Sequence, residues 1–296
     1  MRDLRGKRTL ITGGAAGIGR TIAERLVPEG AELVLVDLNE QSLNQTLAAV
    51  QAMGAEVSGY CLDVTDIDAI PRLRDRVHQD LGPIDILVNN AGIVYGGALL
   101  DVPLEKHLRT YRVNVEGLVA MTYAFFPDLL ARPEAHLVNI ASAAGLVGLP
   151  FGSTYASSKW AVIGFSESLR LELELMKRHS VKVTTVCPSY VSTGLFDGVR
   201  PPTATSMLTP EDLAEQVVDA IKRDHAYVLT PWLVRVTPVL KGVLPTRLFD
   251  AIAWSLGATS SMVHWRGHSA PQPPAAEARA NDAAAPERAA DKHESV

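Results

Sequence analysis

Thr9-Leu-Ile-Thr12-Gly13-Gly-Ala-Ala-Gly17-Ile18-Gly19 joins a short apolar run to a helical pattern. Gly13, Gly17 and Gly19 occupy the turn between the two. Glycine lets a backbone approach a pyrophosphate closely. The helix N-terminus that follows supplies N–H donors and the positive end of a dipole. The strand–turn–helix setting is the one such a motif requires. A glycine-rich loop that merely packs tightly is the ordinary alternative.

Outward from this turn, short apolar runs alternate with longer helical patterns. Strands are expected near Thr9–Thr12, Glu32–Val36, Glu56–Cys61, Ile84–Asn89, His136–Ile140, Val181–Cys187 and Tyr227–Thr230, and helices over stretches such as Gly17–Val27, Ser153–Lys177 and Pro210–Arg223. The strands are nearly continuous in Val, Ile and Leu, which marks burial on both faces of a parallel sheet. The alternation implies a single α/β domain, doubly wound and Rossmann-type, with about seven parallel strands and its ligand at their carboxyl ends.

The 296 residues suffice for one large domain with its own core. A formal charge of −5 gives no electrostatic case for nucleic acid. Cys61 and Cys187 lie far apart in strand-like runs, so buried, reduced thiols are expected. The first residues carry no apolar signal-like core. No apolar run is long enough to span a bilayer. A cytoplasmic location is expected, and no metal enters the reading. From about His268 the composition shifts to Ala, Pro and mixed charge, which predicts disorder over 268–296 and a folded unit over 1–267.

Asp37 ends the second apolar run. An acid there can accept both hydroxyls of an adenosine ribose, and it would repel a 2′-phosphate. Ala15, Ala16 and Leu38 offer no cation for such a phosphate, so the site favours NAD over NADP. A strand-end Asp capping the next helix is the plainer alternative. Asp63-Val64 ends the third run and would border the adenine. Asn89-Asn90-Ala91-Gly92 ends the fourth, beside the cofactor, although such a cluster is also ordinary turn chemistry.

Tyr155 and Lys159 are one helical turn apart in Tyr155-Ala-Ser-Ser-Lys159, and share a face. Free tyrosine titrates near 10, too high for a base at neutral pH. A cation about 4 Å away at an effective dielectric of about 20 contributes about 4 kcal/mol, or roughly three pKa units. Lys159 is therefore expected to lower Tyr155. Ser142, after the fifth run, can hold a substrate oxygen, and Asn114 can anchor a water chain to Lys159. Singly, each has a plain alternative: a solvated helix face, a turn serine, a locally bonded asparagine.

Over roughly residues 5 to 230 the chain resembles a classical short-chain dehydrogenase/reductase. The motifs are Thr12–Gly19, Asp37, Asp63, Asn89–Gly92, Asn114, Ser142, Tyr155 and Lys159. The resemblance implies Tyr155 as general acid/base and Lys159 as pKa modulator and ribose ligand. It assigns Ser142 to substrate positioning and Asn114 to the proton relay. It also implies that Pro188 to Thr193, with Val191 among them, closes over the nicotinamide. The family usually has Pro-Gly there, whereas this chain has Pro188-Ser189. A homodimer or homotetramer is expected.

The stretches flanking the nicotinamide are apolar: Ile93-Val94-Tyr95, Leu146–Phe151 and Leu195-Phe196. They contain no Arg or Lys, so a lipophilic alcohol or ketone fits better than a sugar or acyl-carrier substrate. After the seventh run, Trp232, Leu233, Val236, Val239, Leu240, Val243 and Leu244 repeat at helical spacing, and a second stretch follows Pro245. The extension 231–267 is expected to be a substrate lid or a subunit interface. Peripheral membrane contact through 232–256 is the alternative. With Ser192-Thr-Gly-Leu-Phe196 and Ser261-Met-Val-His-Trp-Arg-Gly267, it resembles, more loosely, the retinol and 17β-hydroxysteroid dehydrogenase branch of the family. The reading that follows is an NAD-dependent dehydrogenase of a hydrophobic alcohol (retinoid, steroid or long-chain). An NADPH-dependent carbonyl or 3-oxoacyl reductase and a non-catalytic dinucleotide-sensing module are the rivals.

Overall fold

The computed structural model describes residues 1–203 and 205–267; the predicted tail lies outside the described residues. Seven parallel strands form one sheet in the order β3-β2-β1-β4-β5-β6-β7. They are β1 (Arg8–Thr12), β2 (Glu32–Asp37), β3 (Val57–Cys61), β4 (Ile86–Asn89), β5 (Ala135–Ile140), β6 (Val181–Pro188) and β7 (Tyr227–Thr230). Each anticipated run appears, with its ends shifted by at most two residues. The helices are α1 (Gly17–Leu26), α2 (Glu40–Ala52), α3 (Ile70–Asp80), α4 (Leu104–Tyr111), α5 (Leu118–Ala131), α6 (Ser153–Leu175), α7 (Pro210–Arg223), α8 (Trp232–Val243) and α9 (Thr246–Ser255).

Successive strand residues point to opposite faces. Ile11, Leu33, Leu35, Val88 and Val138 therefore meet Ile22, Leu26, Leu43, Val217 and Ile221 from α1, α2 and α7. Leu10, Val34, Val36, Leu87 and Leu137 meet Leu73, Val77, Met121 and Phe125 from α3 and α5 on the other side. Two helical layers on one sheet explain why the inner strands read as unbroken apolar runs. Local signals agree. Thr209 caps α7 by accepting from the Asp212 N–H at 3.1 Å, and Pro210 opens the helix.

Strand order reverses between β1 and β4, which opens a crevice at their carboxyl ends. The Gly13 turn lies there. Asn90 Nδ2 donates to Thr12 O at 3.0 Å and Gly13 O at 2.9 Å, and Thr12 Oγ1 accepts from the N–H groups of Asn90 and Ala91. The turn is thereby fixed to the end of β4.

One expectation needs correction here. Cys187 is buried, but Cys61 is exposed. It ends β3, which pairs only with β2 and so is an edge strand, open on one side. The apolar stripe of α8 is left largely exposed. Only Val234 of α8 is buried and no residue of α9 is, while Trp232, Val243 and Trp254 are 62 %, 76 % and 75 % exposed. The chain beyond α9 turns back instead and packs on the loop after β6. Among the described residues, no helix is long and apolar enough to cross a membrane.

Candidate active site

The first turn of α1 is ready for an anion. Its cap, Ala16, has no side-chain acceptor to offer, and no acidic residue lies in the first turn. The Gly17, Ile18 and Gly19 N–H groups are among the donors a helix leaves unpaired. Gly13 adopts φ +64, where an added Cβ would lie 2.9 Å from Asn90 Nδ2. At Gly19 a Cβ would lie 2.2 Å from Gly13 O. Only glycine permits this turn, so the residues present fit a dinucleotide phosphate.

Asp37 stands at the end of β2 over this turn. Its Oδ2 accepts from the Ala15 N–H at 3.0 Å and its Oδ1 from the Asn39 N–H at 2.9 Å. It does not cap α2: Asn39 does, accepting from the Ser42 N–H at 2.9 Å. Leu38 beside it is exposed. Asp63 Oδ1 accepts from the N–H and hydroxyl of Thr65, and Val64 packs against Gly117.

Opposite, α6 presents Tyr155 and Lys159, both nearly sealed at 5 % and 4 % exposure. Lys159 Nζ donates to Ile140 O at the end of β5 at 2.8 Å, and lies 5.8 Å from the Tyr155 ring centre. Ser142 follows β5 and accepts the Ala144 N–H at 3.2 Å. Asn114 sits in a π-helical turn, Arg112–Gly117, that joins α4 to α5. Such bulges turn a side chain out of helical register and gather at functional sites. Asn114 Oδ1 accepts the Ile93 N–H at 2.8 Å, and its Nδ2 donates to Ile93 O and to Ser158 Oγ, each at 3.0 Å. A Cβ on Gly92 would be 3.4 Å from Asn114 Oδ1 and 3.5 Å from Lys159 Nζ. Gly92 thus marks where the two groups converge.

The electrostatics differ from the expectation. Burial pushes the Tyr155 phenol up to about 12, opposed by the Ser142 hydroxyl. Burial brings Lys159 down to about 8. Lys159 is not among the groups that shift Tyr155 here; its ammonium, 5.8 Å from the ring centre, is turned to Ile140 O. Cys187 is pushed up to about 12 by burial, opposed by a Ser142 backbone hydrogen bond and the Lys159 charge.

The loop after β6 descends onto the phosphate turn. A Cβ on Gly17 would be 3.2 Å from the Cβ of Thr193, while Val191 is buried. Ser189 has no left-handed φ and donates its N–H to Thr230 O at 2.9 Å, so Pro188-Ser189 needs no glycine here. Sequence reasoning placed all these residues at the crevice. It did not foresee that Thr12, within the glycine-turn motif, and Ser158, within the Tyr155–Lys159 motif, tie loops together through their side chains. Leu149 and Phe196, from the apolar stretches expected to flank the nicotinamide, join a cluster around Tyr155 with Tyr190, Met262 and Trp265, whose packing there was not foreseen.

Fold and site together define an oxidoreductase of the doubly wound α/β class. The chain matches the short chain dehydrogenase family model over residues 7–203, and it belongs to that family. It is 36 % identical to mouse epidermal retinol dehydrogenase 2 over 259 residues, covering 86 % of this chain and 84 % of that one. It is 33 % identical to estradiol 17-beta-dehydrogenase 11 of Pongo abelii over 252 residues, covering 85 % and 83 %. A short chain dehydrogenase/reductase from Burkholderia phymatum, solved in complex with NAD, is 29 % identical and superposes with a TM-score of 0.76, covering 88 % of this chain and 98 % of that one.

Proposed function

We propose that this enzyme is an NAD-dependent dehydrogenase that interconverts a hydrophobic alcohol and its carbonyl. The observation that carries the reading is the convergence of Tyr155, Lys159, Ser142 and Asn114 on one crevice, opposite the uncapped first turn of α1. Gly13, Gly17, Ile18 and Gly19 receive the pyrophosphate, and Asp37 the adenosine ribose. Asp63, Val64, Asn90, Ala91 and Gly92 line the adenine and ribose side, and Pro188, Val191 and Thr193 the nicotinamide side. Asn90 acts chiefly by fixing the turn, since its amide is engaged there. When bound, the dinucleotide supplies the hydride acceptor.

Tyr155 Oη takes the alcohol proton, and Ser142 Oγ holds the substrate oxygen in line with it. Buried and neutral, the phenol is held back from ionising in the free protein. A positive charge arriving in this low-dielectric crevice stabilises the phenolate more than it would in water. With a dinucleotide bound, the Lys159 ammonium would be the group to hold the nicotinamide ribose. Asn114 grips the Ile93 backbone on both sides and Ser158 on α6, so it sets the distance between the loop after β4 and α6.

The apolar residues around Tyr155 support a lipophilic substrate, as do relatives named for retinol and estradiol. Asp37 supports NAD over NADP, which weighs against an NADPH-dependent carbonyl reductase. NAD should bind more tightly than NADP, and Asp37→Ala should narrow the gap; equal affinities in the unmodified protein would refute the cofactor choice. Turnover of an alcohol panel, followed by NADH absorbance, tests the chemistry. A protein that binds NAD and oxidises none of them would be a sensing module.

A further inference from the structure

We propose that His107 is a positioning residue for Tyr155: through Thr154 it fastens the first turn of α6 to α4 and to the loop after β4. The role given to Tyr155 rests on the dehydrogenase reading above. Tyr155 is the third residue of α6. In that turn a helix leaves its N–H groups unpaired and opens most easily. The cap, Gly152, has no side chain to close it. Phe151 before it stands at φ +60, a conformation that is costly for a bulky residue. A group that must come within hydrogen-bond reach of a substrate oxygen therefore sits where the helix alone holds it least.

Three side chains supply the hold from outside. His107, Tyr111 and Asn114 recur at helical spacing along α4 and the π-helical turn. They meet Thr154, Ser157 and Ser158 of α6 in that order. His107 Nδ1 is 2.5 Å from Thr154 Oγ1, the Tyr111 hydroxyl 2.7 Å from Ser157 Oγ, and Asn114 Nδ2 3.0 Å from Ser158 Oγ. Ser158 Oγ in turn donates to Tyr155 O at 2.7 Å. The Tyr111–Ser157 rung faces solvent, so water competes for it and it contributes least. The Asn114 rung lies C-terminal to Tyr155, where the helix already has its own bonds. Of the three, the His107 rung alone lies N-terminal to Tyr155, in the open turn. His107 Nε2 is 3.0 Å from Leu99 O. A carbonyl only accepts, so Nε2 donates there and Nδ1 is left for the Thr154 hydroxyl. The Gly97 N–H donates to Phe151 O at 2.8 Å. These two links join the loop after β4 to the residues that open α6.

Hydrogen exchange on the full chain tests the hold, and kinetics test its consequence. Losing one such bond shifts a local opening equilibrium about two- to tenfold. His107→Ala and Thr154→Val should therefore speed exchange over residues 153–160 by about that factor and leave exchange in β5 unchanged. With NAD and 1-octanol, kcat should fall about tenfold or more, because small displacements of a reacting group cost up to about a hundredfold. KM for 1-octanol and the affinity for NAD should stay within about threefold of the parent. Thr154→Ser, which keeps the hydroxyl, should behave as the parent in every readout. Unchanged exchange over 153–160 in both His107→Ala and Thr154→Val, or acceleration no greater than in β5, would overturn the fastening whatever the activity. Faster local exchange with kcat within about threefold of the parent would overturn the positioning role. A Thr154→Ser protein as impaired as Thr154→Val would also contradict it, since the hydroxyl would not be the cause. A parent that oxidises no alcohol refutes the dehydrogenase reading instead, and the exchange result then decides the fastening on its own.

Discussion

Gly19→Ala should uncouple the phosphate turn from the rest of an otherwise sound fold. The new Cβ would stand 2.2 Å from Gly13 O and 2.5 Å from Asn90 Nδ2, more than an ångström inside ordinary contact with the carbonyl. The turn cannot yield cheaply, because Asn90 holds Thr12 O and Gly13 O at 3.0 and 2.9 Å. Breaking those two bonds costs about 0.5–1.5 kcal/mol each. Overpacking adds about 1–3 kcal/mol. The total, about 2–6 kcal/mol, divides between global stability and the geometry that meets the phosphate. Even 1.4 kcal/mol of it at the turn weakens NAD about tenfold. Calorimetric titration with NAD and urea unfolding would measure the two shares. Gly164→Ala is the control: it lies in the exposed middle of α6, where nothing stands within 4 Å of a Cβ. It should leave NAD binding alone and stabilise by about 0.5–1 kcal/mol. The reasoning fails if Gly19→Ala binds NAD within about threefold of the parent while Gly164→Ala behaves as stated.

His136 should dominate acid sensitivity. It is wholly buried on β5, with Nε2 2.7 Å from Thr184 Oγ1, and burial lowers it from 6.5 to about 3. Between those values the unfolded chain binds a proton that the folded chain refuses, so stability falls as pH drops through that window. The loss should reach about 2 kcal/mol between pH 6.5 and pH 5. Urea unfolding of His136→Leu across the same interval should show a shallower slope; an identical slope would contradict this. Lys241 should contribute modestly by pinning the loop after Ser142. Its Nζ lies 4.0 Å from the Trp160 ring centre and donates to Leu146 O at 3.0 Å. Lys241→Met should lower stability by about 0.5–1 kcal/mol, read as a drop in Tm, with NAD affinity unchanged.

Much of the fold was legible because inner parallel strands are buried on both faces and announce themselves as apolar runs. Val34 and Leu35 point to opposite layers, yet both must be apolar, so their role needed no knowledge of partners. The Gly13 turn and the Tyr155–Lys159 spacing were legible because their chemistry is local. What was not legible depended on neighbours. The α8 stripe has the period of a buried face, but periodicity reports a helix and not what covers it. Met262 and Trp265 fall in a stretch, Ser261–Gly267, that offered only a loose family resemblance; their place follows from how the chain returns over the β6 loop. Cys61 looked buried because a strand's sequence does not reveal that it stands at the sheet edge. The Tyr155 environment was misjudged for a similar reason. Spacing puts Lys159 on the same face, but the Ile140 carbonyl that draws its ammonium belongs to another element.

The account turns on Tyr155 as the group that takes the alcohol proton. Tyr155→Phe removes one oxygen from a buried ring and leaves the α1 turn, Asp37 and Lys159 in place. Steady-state oxidation of 1-octanol by this variant, with NAD affinity measured on the same sample, tests the claim most directly. The account predicts turnover reduced by at least about a thousandfold, with NAD binding within about threefold of the parent. Turnover retained within about tenfold of the parent would contradict it, and another group would then have to be the base.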